Sequence, residues 1–260
     1  MTPQQRLMEA LANRTPIIGS WLQSGVPAAA EILANAGFAW LGLDCEHTSA
    51  EIATVEALVR ALHGRPTALL VRVTQCDPIE IRRCLDVGAD GVIVPLIETA
   101  EQARAAVSAA KYPPAGSRGY CFSRMNDWGH RFDEYARTAN DRIAVIVMIE
   151  SRRGVENIDE ILAVPGIDGV FIGPYDLSGS YGLPGQLQHE VVRHAYAHVI
   201  AACRRAGISV GQHIVPSDAA KVAAAIAEGS TFICLDTDYL FMDRAARGAL
   251  DGANGSPPKP

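Results

Sequence analysis

A (β/α)₈ barrel is the fold this sequence predicts, and three observations predict it. Eight apolar runs have strand length, helical patterns rich in alanine separate most of them, and 260 residues suit a single barrel. The strand candidates are 16–22, 40–45, 67–73, 91–96, 144–149, 169–172, 208–212 and 232–235. None shows polar alternation, as expected of parallel strands buried on both faces under helices. Eight such units favour a closed barrel over an open doubly wound sheet.

The elements follow in order. MTPQQRLMEALANRTP reads as an amphipathic helix ahead of the first strand and lacks the apolar stretch of a signal peptide. Strand 16–22 leads to a helix over 27–36, and strand 40–45 to one over 49–62. Strand 67–73 precedes a helix over 78–87 that opens on a proline, a favoured first helical residue. Strand 91–96 is followed by a helix over 99–111. The stretch 113–140 then lengthens the path to strand 144–149. Long βα connections lie at the catalytic face of a barrel, so a lid or substrate loop is expected here. Helices over 154–163, 190–206 and 217–227 accompany the last strands. One domain is expected over 1–251, with 252–260 a disordered tail rich in Gly and Pro.

Composition removes several function classes. Net charge is −6 with no basic block, which disfavours nucleic acid and anionic membrane as partners. No run is apolar and long enough to span a bilayer. The six cysteines lack metal-type spacing and point to a reduced, cytoplasmic protein. Neither GxGxxG after the first strand nor GxxxxGK[ST] occurs. The only lysines, Lys111, Lys221 and Lys259, end no strand, so a Schiff-base mechanism has no candidate. Carbonyl chemistry here must use a metal. His194 and His198 are four apart on a helix but lack the Glu of HExxH and read as a solvated face.

Barrel chemistry sits at the C-terminal strand ends. The second strand ends in Asp44, Glu46 and His47, the third carries Arg72, the fifth ends at Glu150, and the sixth runs into Asp176. Strand ends seven and eight offer Gln212, His213, Asp236 and Asp238. Glu150 and Asp176 come from adjacent strands spaced about 4.8 Å apart, and carboxylates that close need a proton or a cation between them. Oxygen donors suit a hard ion such as Mg²⁺ or Mn²⁺; capping or ion pairing is the plainer alternative. Gly173, Pro174, Tyr175 and Asp176 form a turn into a short helix, whose backbone N–H groups suit a carboxylate. Arg72 has two readings, an anion clamp or a structural pair with Asp44 or Glu46. His47 is the natural acid/base residue, because imidazole is the side chain best suited to moving protons at a barrel mouth.

Together, "LGLDCEH", "LLVRV", "CLDVGADGVIVPLIETAEQA", "KYPPAGSRGY", "VMIES" and "GIDGVFIGPYDLSGSYG" resemble the HpcH/HpaI aldolase family, from about residue 19 to 243. The resemblance implies a metal-dependent (class II) pyruvate aldolase using Mg²⁺, Mn²⁺ or Co²⁺. It would reversibly cleave a 4-hydroxy-2-oxo acid to pyruvate and an aldehyde through a metal-stabilised enolate. By the same resemblance, Glu150 and Asp176 hold the metal, Arg72 contacts the pyruvate oxygens, and His47 moves the proton. Asp44 organises water near the metal, Asp86 pairs with the histidine across a subunit boundary, and the amides of Tyr175 and Asp176 receive the carboxylate. A homo-hexamer, a dimer of trimers exchanging the C-terminal helix, is likewise implied. Tyr175, Cys45 and Met148 depart from the family pattern near the site. Within the loop, Tyr120, Phe122, Arg124 and Trp128 suggest a bulky acceptor.

Two further readings compete. A citrate-lyase-like acyl-CoA lyase, or another metal–enolate enzyme, would need an added basic patch, for which Arg118 is the one start. A non-catalytic 2-oxo-acid sensor would have no need of a general base.

Overall fold

Eight parallel strands close on themselves in sequence order: β1 (Ile17–Leu22), β2 (Trp40–Asp44), β3 (Ala68–Arg72), β4 (Gly91–Val94), β5 (Ala144–Ile149), β6 (Gly169–Ile172), β7 (Ser209–Ile214) and β8 (Phe232–Thr237). The computed structural model describes residues 1–254. Each strand is an apolar run because the barrel interior lies on one side and the helical layer on the other. Trp21, Trp40, Phe171 and Phe232 fill the interior, with Trp40 stacked on Phe232 at 4.2 Å. Gly19 makes this packing possible, since a Cβ there would stand 2.1 Å from the Trp40 ring.

Helix α1 (Pro3–Asn13) begins at a Thr2–Gln5 capping box and buries Leu7 and Leu11 against the barrel's N-terminal end. The outer layer comprises α2 (Pro27–Ala36), α3 (Ile52–Ala61), α4 (Pro78–Asp86), α5 (Ala100–Ala110) and α6 (Phe132–Arg142). It continues with α7 (Arg152–Glu156), α8 (Ile158–Leu162), α9 (Pro174–Ser180), α10 (Glu190–Ala206), α11 (Ala219–Glu228) and α12 (Asp238–Ala253). No helix among the described residues is long and apolar enough to cross a membrane.

Several expectations change here. The stretch 113–140 is not a lid at the C-terminal face. α5 has already carried the chain back to the opposite end of the barrel, so the excursion connects a helix to a strand. Its second part is α6, which leads straight into β5. Lys111 pins the connection there by donating to the carbonyls of Asn140 (2.7 Å) and Ile143 (2.6 Å). The helix expected over 154–163 is two, α7 and α8, meeting at Asn157. α12 runs through Ala253, so the expected boundary at 251 falls inside a helix; 255–260 lie outside the described residues.

The repeated motif GxDGV has a structural role. Asp90 and Asp168, each just before a strand, accept the amides of Leu69 and Val145 at 2.8 Å, tying neighbouring strands at the N-terminal end. Burial pushes the Asp90 carboxyl up to about 6, against the pull of its Leu69 hydrogen bond.

Candidate active site

β2 ends in a turn organised by one carboxylate. Asp44 Oδ1 accepts the amides of Glu46 and His47, both at 3.1 Å, which turns the chain sharply and leaves His47 exposed. Asp44 lies beside Arg72 in the β2–β3 register. Arg72 donates to it twice, Nε to Oδ1 at 3.0 Å and Nη2 to Oδ2 at 2.6 Å. The guanidinium stands 4.7 Å from the Trp21 ring, and its Nη1 is 3.4 Å from Glu46 Oε2. Arg72 is thus a structural ion-pair partner of Asp44 whatever else it does. Burial pushes the Asp44 carboxyl up, but the hydrogen bonds and charge of Arg72 outweigh this and hold it below its ordinary value.

Glu150 follows the last residue of β5 and is buried; its Oε1 accepts the Leu96 amide at 2.8 Å. Burial pushes its carboxyl up to about 7, opposed by the Leu96 hydrogen bond and reinforced by Glu46 and Asp176. Gly173 caps α9 because nothing larger fits: a Cβ there would lie 2.5 Å from Glu150 Oε2. Asp176 sits exposed in the first turn of α9, after Pro174 and a 64 % exposed Tyr175.

Glu46 is the residue that reading the sequence undervalued. Its Oε2 is buried without a hydrogen-bond partner, although Arg72 Nη1 and His47 Nε2 (3.5 Å) stand near it. Burial raises its carboxyl, and Arg72 and His47 only partly offset this. Its position two residues past Asp44 at a strand end was the available signal. His47 also lines a polar cavity of about 280 Å³ with Gln23, Thr54 and Tyr239.

Asp86 does not join this group within the chain. It is the last residue of α4, and a barrel helix that starts at the C-terminal face ends at the opposite one. There it pairs with Arg118 at 2.7 Å. Arg118 has a wholly buried side chain and lies over the Tyr112 ring, so it is no basic patch for a phosphate. Tyr120, Phe122, Arg124 and Trp128 belong to the same end and line no part of their own chain's mouth. Met148 is buried inside the barrel, and Cys45 is buried with its thiol pushed up to about 12.

The donor set fits a hard divalent ion. Glu150, Asp176 and Glu46 influence one another electrostatically, and one buried acceptor is left unsatisfied. Among the described residues no three His, Cys, Asp or Glu side chains form a ready-made cage. One or two carboxylates completed by water and substrate is the usual arrangement for Mg²⁺.

A (β/α)₈ barrel with carboxylates and one arginine at its C-terminal mouth defines an enzyme of the barrel class. The sequence matches the HpcH/HpaI aldolase/citrate lyase family over residues 18–242. A 4-hydroxy-2-oxo-heptane-1,7-dioate aldolase of Shigella sonnei (strain Ss046) is 39% identical over 255 residues, 96% of each chain. The crystal structure of a family protein from Burkholderia cenocepacia J2315 superposes with a TM-score of 0.91 at 37% identity, covering 96% of this chain and 99% of that one. An HpcH/HpaI aldolase from Desulfitobacterium hafniense DCB-2 gives 0.88 at 30% identity over 100% of both. The chain belongs to the HpcH/HpaI aldolase/citrate lyase family, and it is a lyase acting on carbon–carbon bonds.

Proposed function

We propose that this enzyme is a divalent-metal-dependent aldolase that reversibly cleaves a 4-hydroxy-2-oxo acid into pyruvate and an aldehyde. The observation carrying the reading is the buried Glu150 after β5, whose carboxyl is raised by burial and by the nearby charges of Glu46 and Asp176. Glu150 and Asp176 would hold the ion, Mg²⁺, Mn²⁺ or Co²⁺. When bound, the ion supplies Lewis acidity to the oxygens of the oxo acid.

The remaining steps belong to the chain's own groups. The amides of Tyr175 and Asp176 orient the substrate carboxylate. Asp44 occupies Nε and Nη2 of Arg72, so Nη1 is the donor that faces developing charge on the keto oxygen. Asp44 thereby positions Arg72 and also shapes the turn that presents His47. His47 takes the proton of the 4-hydroxyl as the C3–C4 bond breaks. The bonding pair moves to C3, the aldehyde leaves, and protonation of the enolate at C3 gives pyruvate.

An oligomer, a hexamer built from trimers, belongs to the same reading. Residues 242–250 of α12 are all exposed, so that helix does not cover its own barrel beyond its first turn. Ile18, on β1, is 37 % exposed where a covering helix is expected. A second copy's α12 laid over β1 and β8 fills the gap. The reading assigns Asp86 to a neighbouring copy's site, where it would pair with His47. The 2-oxo acid and aldehyde substrates are the other partners of this reading, and a cytoplasmic location suits the six free cysteines.

The test is pyruvate release from a 4-hydroxy-2-oxo acid, abolished by EDTA and restored by Mg²⁺, Mn²⁺ or Co²⁺. Exchange of pyruvate methyl protons into D₂O isolates the enolate step. Absence of exchange with every one of these ions would refute the proposal.

A further inference from the structure

We infer that His213 reads the aldehyde half of the substrate, accepting a hydrogen bond from a hydroxyl group on it, so that the site selects hydroxylated aldehydes. This rests on the aldolase reading above and names the substrate class of the same site.

Placement comes first. His213 lies opposite Cys234 in the β7–β8 register, and Cys234 packs inside the barrel with Trp21, Phe171 and Phe232. Paired residues of parallel neighbours face the same side of a sheet, so the imidazole points inward near the C-terminal end of its strand. That end of the barrel also carries Asp44, Arg72 and Glu150. His213 and Pro174 are among the residues lining a cleft of about 680 Å³, together with Tyr196 of α10. Pro174, two residues before Asp176, lines the same cleft, and the Arg72 charge reaches the imidazole.

Orientation and protonation follow from its neighbours. Nε2 is 2.9 Å from the backbone carbonyl of Asp236. A carbonyl only accepts, so Nε2 carries the proton. Asp236 has a φ of +44°, and its carboxylate is fixed by Ser217 and by Arg244 at 2.5 Å. The carbonyl is therefore aimed by groups that have no part in the reaction. Burial holds the imidazole below its ordinary value, and the Arg72 charge acts the same way against the opposing pull of Asp236. A neutral ring anchored through Nε2 presents Nδ1 as a bare lone pair, which has no partner among the described residues.

Such a group discriminates in one direction. It accepts from an O–H, offers nothing to a methyl or methylene group, and gives a carboxylate tail no counter-charge. An aldehyde with a hydroxyl next to the carbonyl is the substrate that satisfies it.

The experiment compares aldehydes on the full-length enzyme with pyruvate and Mn²⁺. Initial rates are measured with 2-hydroxypropanal, with propanal and with 4-oxobutanoate. The wild type should prefer 2-hydroxypropanal over propanal by about tenfold in kcat/KM, the scale of one well-placed hydrogen bond. His213→Leu should bring that ratio to within about twofold, through a higher KM for the hydroxyaldehyde. His213→Gln retains an acceptor oxygen and should restore part of the preference. A wild-type ratio near one, a preference that survives in His213→Leu, or faster turnover of 4-oxobutanoate overturns the inference alone, provided pyruvate methyl protons exchange. Lack of metal-dependent exchange in the wild type overturns the aldolase reading, and the inference with it.

Discussion

Replacing Gly173 by alanine should perturb the proposed metal site without replacing a ligand. The added Cβ would stand 2.5 Å from Glu150 Oε2 and 2.8 Å from Glu150 Cβ. A relaxed carbon–oxygen contact is about 3.3 Å, so the carboxylate must retreat by about 0.8 Å. A shift of that size is enough to stretch the 2.8 Å bond from Leu96 to about 3.6 Å, outside hydrogen-bond range. Gly173 has φ −90°, which any residue adopts, so backbone strain does not confuse the result. Overpacking should cost about 1–3 kcal/mol of stability, small enough to leave the barrel folded. A ligand misplaced by about 1 Å should cost roughly 100-fold in turnover. The assay pairs Mn²⁺ titration calorimetry with pyruvate proton exchange, and thermal melting verifies the fold. Gly179→Ala, in the same helix with nothing within 4 Å of its added Cβ, is the control. If Gly173→Ala binds Mn²⁺ and exchanges protons like the control, Glu150 does not hold the ion.

Three other outcomes are expected. Asp44→Asn leaves Arg72 without its buried counter-charge and should cost about 3–5 kcal/mol in denaturant unfolding, whereas Asp44→Asn combined with Arg72→Met should recover part of it; a single variant within 1 kcal/mol of wild type contradicts the pairing. Glu150 keeps, up to about 7, a proton that the unfolded chain releases near 4.5, so its contribution to stability falls as pH rises between those values. Asp44 runs the other way, its depressed value giving stability that is present above 3.8 and lost in acid. Metal-free melts from roughly pH 5 to 7.5 should therefore show a steeper decline in wild type than in Glu150→Gln, where Asp90, also raised, still contributes up to about 6; parallel curves would argue against the shift. Ending the chain after Met242 should leave a folded barrel but a smaller assembly by light scattering; an unchanged mass, or a monomeric full-length protein, removes α12 as the exchanged element.

The strands were legible because a parallel barrel strand is apolar almost throughout, a local pattern needing no partner to recognise. α6 was not. FDEYARTANDR is mostly polar and fully buries only Ala139, so too few apolar residues mark its inner side. That omission placed the excursion after α5 at the wrong end of the barrel, and with it the aromatic residues expected near the acceptor. The candidate site was legible in one respect, the placement of Asp44, Arg72 and Glu150 at strand ends, which position in the sequence alone decides. Glu46 was named at the end of its strand but undervalued, because the burial that leaves its Oε2 without a hydrogen-bond partner exists only in the closed barrel.

By itself the sequence determined the barrel, the family and the charged residues available at each strand end, because strand pattern, helix caps and motif order are written within short windows of chain. The tertiary structure alone decided which charges meet. Arg72 binds Asp44 across 28 positions of sequence, and Asp86 meets Arg118 across 32 at the far end of the barrel. Closure of the sheet sets those distances, and the electrostatics of every buried carboxylate follow from distance and lost solvent rather than from neighbours in sequence.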